Sequence, residues 1–357
     1  MDPVPWREAW HQALYAAGRG FYVAAGGPAA HFTTATHGPS GRVLAEALIR
    51  FWRRDHDRLP RVVVDVGAGR GELATHLRAV LDAAVGPHDP DPSTPPAARA
   101  GRGPGADAPA RIVAVDVVER PQGLGPGIEW LHSPGGAVLP HELSNLDDAL
   151  VIAHEWLYVV PCAIAEVDEH GRLREVLVDP TSGVEVLGGE VTGADLAWVA
   201  AHWPPAEPGG RVEVGDRVEI GAERDHAWQD LVSRVRAGVL VAVDYGHLRG
   251  ARPRGGTLTA YEAGHETEPT PDGSCDITAH VAMDSLEHDE LRTQREVLRE
   301  LGVLGRTPPI TQAAADPLGY VRALERTGAE AQLIDPHGFG AFWWAVRRVP
   351  TAHPRAG

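Results

Sequence analysis

The sequence predicts an α/β fold in which a mostly parallel sheet is covered by helices on both faces. Three observations carry that expectation. Val62 to Val66 form an apolar run too continuous for a half-exposed strand, a glycine turn follows, and then Leu73, Leu77, Val80 and Leu81 recur on one helical face. A second buried run, Ile112 to Val118, follows that helix. Further apolar runs at 149–153 and in GVLVAVDYG (238–246) continue the series. Buried strands alternating with helices imply a parallel sheet.

The remaining elements fit around this alternation. Trp6, Trp10 and Leu14 stand four apart and predict a helix within 5–17, and a second helical stripe runs from Ser40 through Val43, Leu44, Ala47, Leu48 and Phe51. GRGFYVAAGGPAAHFTTATHGP (18–39) between them is too long for a plain connector. It is expected to be a lid or binding loop docked by Phe21, Tyr22 and Phe32. Residues 86–109, rich in Pro, Gly, Ala and Asp, read as a flexible insertion. Ala165 to Val167 and Leu173 to Val178 flank Glu-His-Gly, a hairpin signal that predicts an inserted subdomain. A helix carrying Trp228, Leu231, Val232 and Val235 precedes GVLVAVDYG, a helix is expected near 285–301, and FWWAVRRV (342–349) reads as a terminal strand whose Trp343 and Trp344 plug the core. The expected organisation is N-terminal helices and a covering loop in 1–60, a core in 61–164, an inserted hairpin subdomain in 165–225, and the rest of the core with substrate-side segments in 226–357.

Composition narrows the function. A chain of 357 residues can bury a substantial core in one or two domains. With only Cys162 and Cys275, and no apolar stretch long enough to span a bilayer, the expected location is cytoplasmic, without a membrane partner. The net charge of -16 repels phosphate backbones, so nucleic acid is not an expected partner. All 33 basic residues are Arg, which excludes Schiff-base chemistry and a lysine-dependent phosphate loop. The 18 histidines form no HExxH and no Cys/His cluster with ligand spacing, so no metal is expected.

The glycine turn DVGAGRG carries the chemistry. Its glycines are at 67, 69 and 71, whereas a dinucleotide cradle needs one at 72, where Glu72 would repel a pyrophosphate. The acid-x-Gly-x-Gly pattern that remains looks like the S-adenosylmethionine site of class I methyltransferases, whose cationic sulfonium tolerates a carboxylate such as Asp65 nearby. Asp116, at the end of the second strand, suits ribose hydroxyls. In VIAHEWLYVVP (151–161) an apolar strand ends abruptly in His154 and Glu155, polar residues at a strand tip. His280 is weighed as a core residue, and His247, directly after DYG, as the better placed of the two histidines.

Several segments taken together resemble one family. ALYAAGRGFY (13–22), HFTTATH (31–37), the glycine turn, AHEWLYVVP, VDYGHLRG (243–250), GGTLTAY (255–261), PDGSCDITAHVAMDSL (271–286) and IDPHGFGAF (334–342) follow the order found in the MidA-like methyltransferases. That family includes a mitochondrial complex I assembly factor resembling a protein arginine methyltransferase. The resemblance implies a Rossmann-like class I methyltransferase core with a helical N-terminal segment and an inserted hairpin subdomain, and S-adenosylmethionine as cofactor. It places Thr34, Gly67, Gly69, Asp116 and Glu155 around the cofactor or the transferring methyl, with Asp244 at the next strand's tip and Gly338-Phe339-Gly340 near the acceptor.

One motif departs from the family. Where the usual pattern is Asn-Glu-aromatic-x-Asp-x-x-Pro, this chain has His154 for the Asn and Tyr158 for the second acid. An arginine acceptor is a cation that must shed a proton, so a lost carboxylate weakens that assignment. The residues expected to meet the acceptor are Glu155, His154 and Asp244. Protein arginine is the first expectation, an oxygen acceptor on a peptide or small molecule the second, with His154 as base, and an inactive assembly factor the third. A homodimer is left open.

Overall fold

The structure is a computed structural model that describes residues 2–24, 34–85, 110–203 and 212–351. Phe32 and the expected insertion at 86–109 lie outside the described residues.

The core is a seven-stranded sheet. Its strands in chain order are β1 (Val62–Val66), β2 (Arg111–Asp116), β3 (Ile128–His132), β4 (Ala149–His154), β5 (Gly238–Asp244), β6 (Glu290–Thr293) and β7 (Trp343–Val349). They lie in the order β3-β2-β1-β4-β5-β7-β6. The first five run parallel, and β7 is antiparallel to both of its neighbours. The strand order reverses between β1 and β4, which opens a crevice at the carboxyl ends of the strands.

Why these residues form a doubly covered sheet follows from alternation. Val63, Ile112, Ile152 and Val241 face one layer, formed by α2 (Gly38–Trp52), α3 (Glu72–Val85) and two later helices, α5 (Gln294–Glu300) and α6 (Pro317–Leu333). Val64, Val113, Val151 and Leu240 face the other, where Trp228 and Leu231 of α4 (Ala222–Ser233) pack. Each fully buried Val, Leu or Ile side chain stabilises by about 1.5–3 kcal/mol before entropy is subtracted. A slip of one residue in register would exchange the two layers, so the register is strongly specified.

The expected hairpin is present. Ala163–Val167 and Leu173–Val178 pair antiparallel, Gly171 turns at φ 76°, and Glu185–Glu190 and Arg217–Ile220 extend the same sheet. The first helix, α1 (Trp6–Tyr15), buries Trp6, Trp10 and Leu14 against Ile164, Val176 and Ile277.

The tail corrects the sequence-based expectation. The helix expected over 285–301 spans only Gln294–Glu300, because residues 290–293 pair with β7 instead and Thr293 closes a capping box with Glu296. The 17-residue helix α6 was not anticipated; Asp316 caps it by accepting the Gly319 N–H at 2.9 Å, with Pro317 in its first turn. Strand β3 was also missed, since its IEWLH mixes polar and apolar residues. Trp344 is fully buried and donates its indole N–H to Gln294 Oε1 at 3.1 Å, whereas Trp343 is half-buried. Among the described residues no helix is long and apolar enough to cross a membrane.

Candidate active site

A cavity of about 1260 Å³ opens at the carboxyl ends of the parallel strands. Each strand delivers a residue to it: the turn at Gly67 and Gly69 after β1, Asp116 from β2, His132 from β3, Glu155 after β4 and Tyr245 after β5. Pockets for a single drug-sized ligand span about 300–1,000 Å³, so this one has room for two reactants.

The turn has the backbone its glycines allow. Gly67 and Gly69 have φ of 74° and 60°, and a Cβ added at Gly67 would stand 3.2 Å from Cβ of Trp156. The Gly69 N–H donates to Asp116 Oδ2 at 2.7 Å, and the Val118 N–H donates to Asp116 Oδ1 at 3.1 Å. Burial pushes the Asp116 carboxyl up to about 6 despite these bonds. Each oxygen retains a lone pair for another donor.

His154 and Glu155 answer the oddity at the strand tip by standing in the cavity wall. Glu155 holds φ at 54°, a left-handed conformation costing a non-glycine residue roughly 1–2 kcal/mol, and its N–H donates to Val243 O at 2.8 Å. Its Oε1 has no hydrogen-bond partner. The His154 ring is buried with Nδ1 3.3 Å from Glu155 Oε1, yet neither ring nitrogen makes an aligned hydrogen bond. The contact is therefore proximity without the directionality of a bond. Thr34 also lines the cavity; its hydroxyl lies 2.7 Å from His37 Nδ1, and His37 Nε2 lies 3.4 Å from Glu72 Oε1 at the start of α3.

Thus Thr34, Gly67, Gly69, Asp116, His154 and Glu155 converge on one cavity. Two expected carboxylates do not reach its wall. Asp65 is buried behind the turn, accepts the Ala74 N–H, and is raised to about 7 by burial, with Asp116 and Glu72 adding repulsion. Asp244 is fully buried and accepts the N–H groups of Leu157 and Tyr158 at 3.0 and 3.2 Å, so it faces backbone and not an acceptor. His247 is likewise off the wall: its Nδ1 lies 2.8 Å from Arg252 Nη1, and burial followed by the Arg252 charge lowers it to about 4. His280 does line the cavity, edge-on to Tyr245. From the late glycine segment it is Phe342, beyond the turn itself, that reaches the wall.

Sequence reasoning missed Tyr15, Tyr245 and Asp276 as site residues, while it had named Tyr22 as docking the loop and Tyr158 as replacing an acid. Tyr15, Tyr22, Tyr158 and Tyr245 line the end of the cavity near Glu155, with Tyr158 and Tyr245 ring centroids 4.9 Å apart and Tyr15 stacked on Tyr22 at 5.8 Å. Asp276 stands among them and accepts the Tyr22 hydroxyl at 2.7 Å. The acid that opens DITAHV was the available signal.

The donor set fits S-adenosylmethionine. The turn at Gly67 keeps a space that a Cβ would fill, Asp116 has acceptor capacity for ribose hydroxyls, and the unpartnered carboxylate oxygen of Glu155 suits a cationic ligand. Comparison with known proteins agrees. A family model described as "Putative S-adenosyl-L-methionine-dependent methyltransferase" matches residues 119–299. A Burkholderia thailandensis protein crystallised with S-adenosyl-homocysteine and described as a "likely methyl transferase" superposes with TM-score 0.69 at 20% identity, covering 96% of this chain and 87% of its own. A native structure from the same organism gives TM-score 0.68 at 20% identity, with 97% and 87% covered. At that identity the likeness establishes the fold, which is Rossmann-like. No curated protein matches the chain. A family match over more than half the chain, together with the glycine turn, settles the assignment: this protein belongs to the MidA-like, S-adenosylmethionine-dependent methyltransferases.

Proposed function

We propose that the enzyme methylates a cationic nitrogen, the guanidinium of an arginine on a partner protein. S-adenosylmethionine supplies an electrophilic methyl on a good leaving group, so the chain's task is to orient the acceptor, take up its proton and exclude water. The observation that carries the acceptor class is the Glu155 carboxylate, with one oxygen unpartnered, at the edge of a chamber walled by four tyrosines. Aromatic faces and a carboxylate together favour a cation, by about 0.5–2 kcal/mol for each well-placed ring. In this proposal Gly67 and Gly69 let the backbone approach the cofactor, Asp116 holds the ribose, Thr34 closes over it, and Glu155 grips the acceptor with His154 behind it.

A second acceptor class has its own support. Both His154 ring nitrogens lack an aligned partner, which suits a base for a hydroxyl. Incubation with methyl-labelled cofactor and a host lysate separates the two. Acid-stable methylarginine that disappears in Glu155→Gln supports the first proposal, whereas label lost only in His154→Asn and carried on oxygen supports the second.

A further inference from the structure

Position 158, where the resemblance implies an acid, is a tyrosine, but the chamber does not lack a second carboxylate. Asp276 opens the strand Asp276–Thr278, is buried, and lines the cavity together with Glu155. It reaches the chamber from a part of the chain 118 residues beyond Tyr158 (276 − 158). A short chain of contacts joins the two positions: the Tyr22 hydroxyl donates to Asp276 Oδ1 at 2.7 Å and lies 3.5 Å from the Tyr158 hydroxyl. The Tyr158 hydroxyl thus reaches toward Asp276 through the Tyr22 hydroxyl.

Asp244, the other carboxylate near this wall, already accepts three backbone N–H groups and does not line the cavity, whereas an ionised carboxylate such as Asp276 accepts about four hydrogen bonds and Tyr22 uses one. Burial leaves Asp276 poised: desolvation raises it, the Tyr22 bond opposes, the Glu155 charge adds, and the net position is about 7. A carboxyl held there exchanges a proton readily near neutral pH.

We propose that Asp276 is a catalytic residue, the second carboxylate of the acceptor clamp, gripping the cationic nitrogen opposite Glu155 and receiving the proton it sheds. This rests on the guanidinium acceptor proposed above. As the nitrogen lone pair forms the new N–C bond, the S–C bond of the donor breaks and its electron pair stays on sulfur. The acceptor remains a monocation because one N–H proton passes to the Asp276 carboxylate, which later releases it to solvent.

Calorimetry on the full-length protein saturated with S-adenosyl-homocysteine tests this with two probes of nearly equal shape, butylguanidinium and the neutral butylurea. The wild type is expected to bind the cation at least about tenfold tighter than the urea. Asp276→Asn should bind S-adenosyl-homocysteine as the wild type does while discriminating less than about threefold. Equal binding of both probes by the wild type, or discrimination preserved in Asp276→Asn, overturns the assignment. If the wild type does not bind S-adenosyl-homocysteine, the cofactor site itself has been misplaced, a separate failure. Should Asp276→Asn not fold, Tyr22→Phe takes its place. Losing the hydroxyl that competes for Oδ1 should tighten the cation, and unchanged or weaker binding counts against Asp276.

Discussion

Asp244 at the end of β5 accepts the backbone N–H of Leu157 at 3.0 Å, so the tip of one strand fastens the turn that follows its neighbour β4. The same oxygen accepts the Tyr158 N–H at 3.2 Å, and the other accepts the Tyr245 N–H at 3.1 Å. Burial first, and then the Glu155 charge, raise this carboxyl well above its ordinary range. Its role is to hold Glu155 and Tyr158 in place from behind.

Asp244→Ala should therefore behave as a stability mutant. It strands buried N–H groups and opens a small void, at a cost of roughly 3–5 kcal/mol. Asp244→Asn keeps one carbonyl acceptor and should cost about 1–2 kcal/mol. Urea midpoints check the order; equal stability of the two variants would mean that these backbone contacts do not hold the turn.

Gly67→Ala tests the cofactor turn. The substitution puts a Cβ on a residue at φ 74°, where left-handed backbone costs about 1–2 kcal/mol, and 3.2 Å from Cβ of Trp156, which must give way. S-adenosyl-homocysteine affinity should fall at least about tenfold while the fold survives. Unchanged affinity by calorimetry would remove this turn from the cofactor site.

The sheet was legible because buried parallel strands are written as continuous apolar runs: Val62–Val66, 149–153 and 238–244 all announce themselves. The site's outline was legible for the same reason, since polar residues at the ends of such runs must stand at the carboxyl edge. Direction was not. Asp65 and Asp244 sit at strand tips just as Asp116 does, and only the fold shows that their carboxylates meet the N–H groups of Ala74 and of Leu157 instead of the cavity. Asp276 escaped notice because its strand belongs to a separate small sheet with Thr259–Glu262, whose path back to the chamber no local pattern encodes. Helix α6 was passed over although Leu318, Val321 and Leu324 recur at helical spacing; the structure leaves these three exposed and buries only Ala329 and Leu333.

The pH dependence of stability follows from Asp65. Its carboxyl titrates at about 7 in the folded chain against an ordinary 3.8, because burial outweighs the Ala74 hydrogen bond and Oδ2 has no partner. Between those values the folded state binds more protons than the unfolded state, so this group's contribution is intact below about pH 4, declines as pH rises, and is fully lost above about pH 7. The loss is bounded by roughly 4 kcal/mol at the exchange rate of 1.36 kcal/mol per pH unit. Asp65→Asn imitates the protonated form at every pH. Its melting temperature should lie several degrees above the wild type's at pH 8, by clearly less at pH 5, and converge with it only below about pH 4, while Asp116 and Asp276, raised to about 6 and 7, keep a residual slope in both proteins. A gap of equal size at pH 5 and pH 8 would show that Asp65 is already ionised in the native state at both.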